Sequence, residues 1–172
     1  MQYRRSLAPG GCYFFTVVTN NRKKIFTNDR TVDVLREAFK QIKDKRPFEI
    51  DAMVVMPDHL HCIWSLPGND ADYSTRWRLI KTWFTKHCNE GLKNRSKQTV
   101  WQKRYWEHQI KDDKDYEQHV DYIHYNPVKH GYVTKPIDWP YSSLKGFVEK
   151  GVFPENWGAG YEVIVPDYIG NE

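Results

Sequence analysis

The sequence predicts an α+β domain built around an antiparallel sheet. Three observations lead there. Four short runs are rich in aromatic and β-branched residues, and two of these runs are joined by only a tight turn. Three longer stretches repeat apolar residues at helical spacing. The two kinds of segment also alternate in an order that closes into one sheet. At 172 residues the chain is long enough for one good core and short for two. Aromatic residues make up 15% of it, as seven Trp, eleven Tyr and eight Phe, which excludes intrinsic disorder. No apolar stretch approaches the ~18 residues needed to span a bilayer, so no membrane association is expected. Met1 to Ser6 leads into a mixed segment with no secretory h-region.

The elements follow in order. Cys12 to Thr19 has the composition of a strand. Between Asn28 and Lys45, Val32, Leu35, Phe39 and Ile42 fall on one helical face. Phe48, Ile50, Ala52, Val54 and Met56 then alternate with other residues, as in a half-buried strand. Pro57 and Asp58 turn the chain into a further strand from His59 to Leu66, which Pro67-Gly68-Asn69 closes. Ser74 or Thr75 can cap a second helix reaching about Asn89. An aromatic strand from about Arg104 to Ile110 follows, then a third helix from about Lys114 to Tyr125, ended by Pro127 and Gly131. The order βαββαβ fits a ferredoxin-like split βαβ sheet with one added helix. Residues 1–131 are expected to form this domain. Residues 132–172, broken by Pro136, Pro140, Pro154 and Pro166, are expected to form an extended tail packed on it without a core of its own.

Cys12, Cys62 and Cys88 are odd in number and widely spaced, which points to buried thiols in a reducing cytoplasm and away from a disulfide framework or zinc ribbon. The charge is concentrated. From Arg76 to Lys111 ten bases stand against Glu90 and Glu107, a surplus of +8 in a chain of net +4. Trp77, Trp83, Phe84, Trp101, Tyr105 and Trp106 lie among those bases. Single-stranded nucleic acid needs both features, cations for its phosphates and rings on which exposed bases stack at ~1–3 kcal/mol each. A solvated basic surface over an ordinary aromatic core fits the same pattern.

The sharper signal lies in the strand from His59 to Leu66. Leu60, Cys62, Trp64 and Leu66 form one apolar face, so His59 and His61 must share the other, close enough to grip one cation. Two polar residues on the wet face of a sheet would look the same. Two imidazoles are too few for a closed structural zinc site, whereas an open site can polarise a phosphoryl oxygen. The third helix offers the remaining parts. Tyr116, Val120, Ile123 and Pro127 fall on its apolar stripe, with Asp115, His119, Tyr122 and Asn126 on a second stripe about a quarter turn away. A phenol at Tyr122 attacking a phosphodiester would form a phosphotyrosine that retains the energy of the broken bond. Only ~1 in 1,000 phenols is ionised at pH 7, so it needs help, which a bound cation can supply. The Asn126 carbonyl oxygen can be a third ligand. An ordinary amphipathic-helix tyrosine is the competing reading.

Met56-Pro57-Asp58-His59-Leu60-His61 closely resembles the HUH signature of single-tyrosine transposases. The blocks from Trp101 to His108 and from His119 to Gly131, with Asp138-Trp139-Pro140-Tyr141-Ser142-Ser143, resemble the REP-associated tyrosine transposases within that group. The resemblance implies a ferredoxin-like fold and Mg2+ or Mn2+ bound by His59, His61 and Asn126, with Tyr122 as nucleophile. It implies single-stranded DNA beside REP-type hairpins as substrate and a location in the bacterial cytoplasm with the nucleoid. Cofactor identity follows from the resemblance alone, because imidazoles suit zinc as readily. Asp58 stands where related signatures often carry Asn or Glu, a turn variation that can also support a histidine. Tyr3, Arg4 and Arg5 are candidates for reading a short sequence beside the hairpin. Arg76, Arg78, Lys81, Lys103 and Arg104 are candidate DNA contacts. His119 is a candidate accessory to the phenol or phosphate, with a structural role equally open. Nothing in their spacing assigns His108 or His130 a role, and His87 and His124 read as surface residues.

The expected function is thus a metal-dependent single-strand DNA endonuclease and strand transferase acting through a covalent 5′-phosphotyrosine. The alternatives are a catalytically silent DNA-hairpin-binding module and a two-histidine hydrolase using activated water. The resemblance implies a monomer, with a helix-exchanged dimer as the alternative.

Overall fold

The computed structural model describes residues 9–88 and 99–170. Its elements are β1 (Cys12–Val18), α1 (Asp29–Lys45), β2 (Glu49–Val55), β3 (His59–Ser65), α2 (Tyr73–Cys88), β4 (Trp106–Gln109), α3 (Asp113–Lys129) and α4 (Leu144–Glu149), with short 3-10 turns at Asn20–Arg22 and Pro136–Asp138. The sheet order is β2-β3-β1-β4 and every neighbouring pair is antiparallel. This is the ferredoxin-like arrangement expected from the element order.

Alternation along the strands sends side chains to two faces, and different helices cover them. One face carries Tyr13, Phe15, Leu60, Cys62 and Trp64 and packs on α1 and α2. Trp64 stacks on Trp77 of α2 with ring centroids 4.3 Å apart. Helix α1 starts where Asn28 accepts a hydrogen bond from Thr31 N at 3.0 Å, capping an otherwise unpaired donor. The opposite face carries Phe14, Ala52, Val54 and Ile63, and meets Val120, Tyr122 and Ile123 of α3.

Four expectations need correction. Helix α3 runs through Pro127 to Lys129. A proline deprives the helix of only one hydrogen bond, and Gly131, not Pro127, stops it. At φ +73° Gly131 lets its own N–H bond Val128 O while Tyr132 N bonds Pro127 O, a Schellman closure. The segment after Tyr132 is more than an extended cover. It contains α4, and Phe147, Phe153, Val165 and Ile169 complete the hydrophobic cluster under α3. Trp139 Nε1 donates to Val55 O at 3.0 Å, and Met53 N donates to Ser143 Oγ at 2.9 Å, which fasten the segment to β2. His124 is buried rather than exposed. It lies between α3 and this segment, its Nε2 2.8 Å from Ser143 Oγ and its ring 4.7 Å from that of Phe147. Burial pushes its pKa down to about 3. Cys62 is fully buried, but Cys12 and Cys88 are only half-buried. No helix among the described residues is long and apolar enough to cross a membrane.

Candidate active site

The β2–β3 turn sets the two histidines. Met56 N bonds His59 O at 2.8 Å, and Pro57 O accepts from both Ile25 N and Phe26 N, so the turn is held from two sides. Thr19 adds its own N–H and hydroxyl to Asp58 O, each at 2.9 Å. The chain then enters β3 with His59 and His61 on the face that packs on α3, ring centroids 4.8 Å apart. Both rings are buried and oriented through Nδ1, His59 by Asp58 Oδ1 at 2.6 Å and His61 by Thr16 Oγ1 at 2.8 Å. Burial alone would raise the Asp58 carboxyl, but its hydrogen bond and attraction to His59, with Arg22 nearby, hold it below the usual carboxylate range. With Nδ1 committed in each ring, Nε2 is the nitrogen through which each can coordinate a cation.

Helix α3 brings Tyr122 to the same place. The phenol ring lies 5.0 Å from the His61 ring, edge-on at 73°, and 6.1 Å from Phe14. The tyrosine and His61 of one chain therefore meet directly. One turn further along, Asn126 is fully buried, and neither its Oδ1 nor its Nδ2 has a hydrogen-bond partner among the described residues. An orphaned amide of this kind destabilises a fold by about 1–3 kcal/mol. An oxygen ligand to a divalent ion would remove that defect, and two imidazole nitrogens plus an amide oxygen leave coordination positions open for substrate. The last turn adds Lys129, whose Nζ is 4.9 Å from the centre of the Tyr122 ring, and His130, whose ring is 5.4 Å from that of His59. Lys129 was not among the expected site residues, although its position seven residues after Tyr122 puts it on the same helix face.

Residues 11–126 match the family described as IS200-like transposases. The chain is 49% identical over 157 residues to the REP-associated tyrosine transposase of Escherichia coli (strain K12), covering 91% of this chain and 90% of that one. The chain belongs to this transposase family. Its fold also superposes on the structure of a REP-associated tyrosine transposase bound to a REP hairpin, with a TM-score of 0.87 and 44% identity over 100% of this chain and 97% of the other. Membership in this HUH family implies a divalent metal.

The structure separates the remaining candidate residues of this transposase. Arg76 is not a DNA contact: its side chain is 1% exposed and makes four hydrogen bonds within the fold. It bonds Asp70 Oδ2 at 2.7 Å and the carbonyl oxygens of Arg46, Asp72 and Pro47, and so ties α2 to the chain between α1 and β2. Helical spacing made it look like Arg78, but it lies on the buried face. Arg78, Lys103 and Arg104 are exposed. Lys81 is half-buried, bonding Gln102 O at 3.1 Å with its Nζ 5.1 Å from the Tyr105 ring centre. Lys81, Lys86 and Lys103 line a groove of about 500 Å³ with Thr82, Thr85 and Thr99. Tyr3, Arg4 and Arg5 lie outside the described residues.

Of the two roles open to His119, its contacts favour the structural one. Its Nδ1 donates to Asp115 O at 2.7 Å and lies 3.1 Å from Asp115 Oδ1, while the ring rests on Phe14. His108 Nε2 meets the other carboxylate oxygen at 2.8 Å. The potential ligand atoms of His108, Asp115 and His119 all lie within 4.8 Å of one another. Burial would raise the Asp115 carboxyl, but His108 and the Lys111 N–H outweigh it and hold it low, while burial pulls His119 below the ordinary imidazole range. Without any ion, these hydrogen bonds fasten the first turn of α3 to β4.

The C-terminal segment covers the phenol. Ile169 is buried against α3, Tyr168 donates to Gln118 Oε1 at 3.1 Å, and Gly170 sits so closely on Tyr122 that a Cβ there would overlap Oη and Cζ. Tyr122 is consequently only 2% exposed.

Proposed function

We propose that this transposase cuts and rejoins single-stranded DNA beside REP-type hairpins, with Tyr122 as nucleophile and a covalent 5′-phosphotyrosine as intermediate. The observation that carries this reading is the meeting, within one chain, of the Tyr122 ring and His61 at 5.0 Å beside the orphaned amide of Asn126. Tyr122 Oη gives up its proton and bonds to phosphorus as the P–O3′ bond breaks, and the departing oxygen takes up a proton to become a 3′-hydroxyl. In the reverse step a 3′-hydroxyl attacks the phosphotyrosine, restores the phosphodiester and returns the phenol. His59 Nε2, His61 Nε2 and Asn126 Oδ1 would hold Mg2+ or Mn2+, which when bound supplies Lewis acidity to a phosphate oxygen. Asp58 and Thr16 keep the two imidazoles in the required orientation, and Lys129 holds a cation over the Tyr122 ring, its Nζ 4.9 Å from the ring centre.

Hairpin DNA enters this reading because the superposable transposase is bound to a REP hairpin. On this chain the exposed Arg78, Lys103 and Arg104, with the groove lined by Lys81, Lys86 and Lys103, supply cations for the phosphates. The N-terminal Tyr3, Arg4 and Arg5 are proposed to read the flanking bases. A monomer is the proposed catalytic unit, because Tyr122 meets His61 within one chain.

Incubation of the protein with Mn2+ or Mg2+ and a labelled hairpin oligonucleotide bearing single-stranded flanks should give a denaturation-resistant adduct. Tyr122→Phe should abolish the adduct and keep hairpin binding. An adduct that survives this substitution refutes the assignment. The covering of Tyr122 by Gly170 favours a second reading, a hairpin-binding module that does not cut. That reading requires that no adduct form even when the segment is displaced.

A further inference from the structure

The chemistry above leaves Trp106 unused. Its position follows from the sheet register: Trp106 pairs with Thr16, and Thr16 pairs on its other side with His61. All three therefore share one face. At about 4.8 Å per strand, the Cα atoms of Trp106 and His61 are roughly 10 Å apart. Thr16, between them, is the residue that orients His61.

Helix α3 leaves this quarter of the face open, because it crosses the sheet diagonally. Asp115 in its first turn bonds His108 on β4, His119 rests on Phe14 of β1, and Tyr122 meets His61 of β3. At the end of the sheet where Trp106 and the two histidines lie, the helix has already moved off β4 toward β2 and β3. Trp106 is 47% exposed as a result, on an edge strand, whereas Phe14 and Ile63 on the same face are fully buried. The exposed Lys103 and Arg104 precede Trp106 in the chain.

We propose that Trp106 is the stacking platform for the unpaired base next to the scissile phosphate, with single-stranded DNA entering over the β1–β4 end of the sheet. This rests on the reading that the phosphate is attacked beside His61, since a base on the adjoining sugar then falls over Thr16 and onto the indole. Stacking accepts any base and requires that it be unpaired, so the platform selects single-stranded flank over duplex without reading sequence. Lys103 and Arg104 neutralise phosphates of the same strand as it approaches.

The test compares the full chain with Trp106→Ala and Trp106→Phe. The probes are a REP-type hairpin with single-stranded flanks, carrying 2-aminopurine at one flank position at a time, and the same hairpin with blunt ends. Trp106→Ala should weaken binding of the flanked probe by about 5- to 150-fold, should abolish the 2-aminopurine quenching seen next to the cut, and should leave the blunt hairpin unaffected. Trp106→Phe should retain most of the affinity. Equal affinity of wild type and Trp106→Ala for the flanked probe overturns the proposal, as does an equal loss on the blunt hairpin. If wild type forms no Tyr122 adduct, the catalytic reading fails, whereas the flanked-against-blunt comparison still decides the role of Trp106 in binding.

Discussion

Gly170→Ala is expected to accelerate adduct formation. The backbone at Gly170 has φ +78°, a conformation that disfavours an L side chain, and an added Cβ would overlap the Tyr122 hydroxyl and its ring carbon. The phenol is fixed from below by His61 and Phe14, so the C-terminal segment must yield. What holds it down is chiefly Ile169, 3% exposed, whose burial stabilises the covered state by about 1.5–3 kcal/mol. Forfeiting that contact shifts the balance between covered and uncovered phenol by roughly 10- to 150-fold. Single-turnover adduct formation with Mn2+ should therefore rise by up to that factor, read as a time course on denaturing gels, with hairpin affinity unchanged. Gly151→Ala is the control: it has a similar φ of +74° but open space around it, and should leave the rate alone. An unchanged or slower rate in Gly170→Ala refutes the reasoning that this segment limits access to Tyr122.

Further outcomes follow from the same structure. Thr16→Val removes the hydroxyl that orients His61 and should weaken Mn2+ binding about 10- to 100-fold by calorimetric titration, and an unaltered affinity would show that Thr16 does not position the ligand. Arg76→Ala should destabilise the fold by about 1.5–3 kcal/mol in urea titration, because it removes the buried guanidinium that bonds Asp70 and three backbone carbonyls, while the folded fraction binds hairpin normally. Weaker binding with intact stability would restore Arg76 to the DNA surface. His124 is held neutral by burial, its pKa falling from an ordinary 6.5 to about 3. Its contribution to stability is thus fully present above pH 6.5 and is lost as the pH falls toward 3, on the order of 2 kcal/mol by pH 5. His124→Leu should flatten the urea-midpoint profile between pH 6.5 and 4, and an unchanged slope would assign the acid sensitivity elsewhere.

Much of the site was legible in one dimension because its parts lie on regular elements. The apolar residues at 60, 62 and 64 forced His59 and His61 to share a face, and helical geometry put Tyr122 and Asn126 one turn apart. Where the same geometry lacked a partner surface, it misled. Arg76 and Arg78 are both cations on α2, and the difference between them is that the backbone carbonyls of Arg46 and Pro47 meet only Arg76. His124 looked like a polar helix residue until α4 and Phe147 closed over it. The tail's proline-broken pattern concealed that Phe147, Phe153 and Ile169 complete a core, since no periodicity relates residues that pack from separate turns.

The sequence by itself determined the order of strands and helices, the face on which the imidazoles lie and the spacing of phenol and amide, because each follows from repeats of two or 3.6 residues within a single element. Only the tertiary structure decided that Thr16 orients His61, that α3 crosses the sheet diagonally and exposes Trp106, and that Gly170 rests on Tyr122. The first and last are meetings of residues 45 and 48 positions apart, and all three are set by how the elements pack, which no local pattern records.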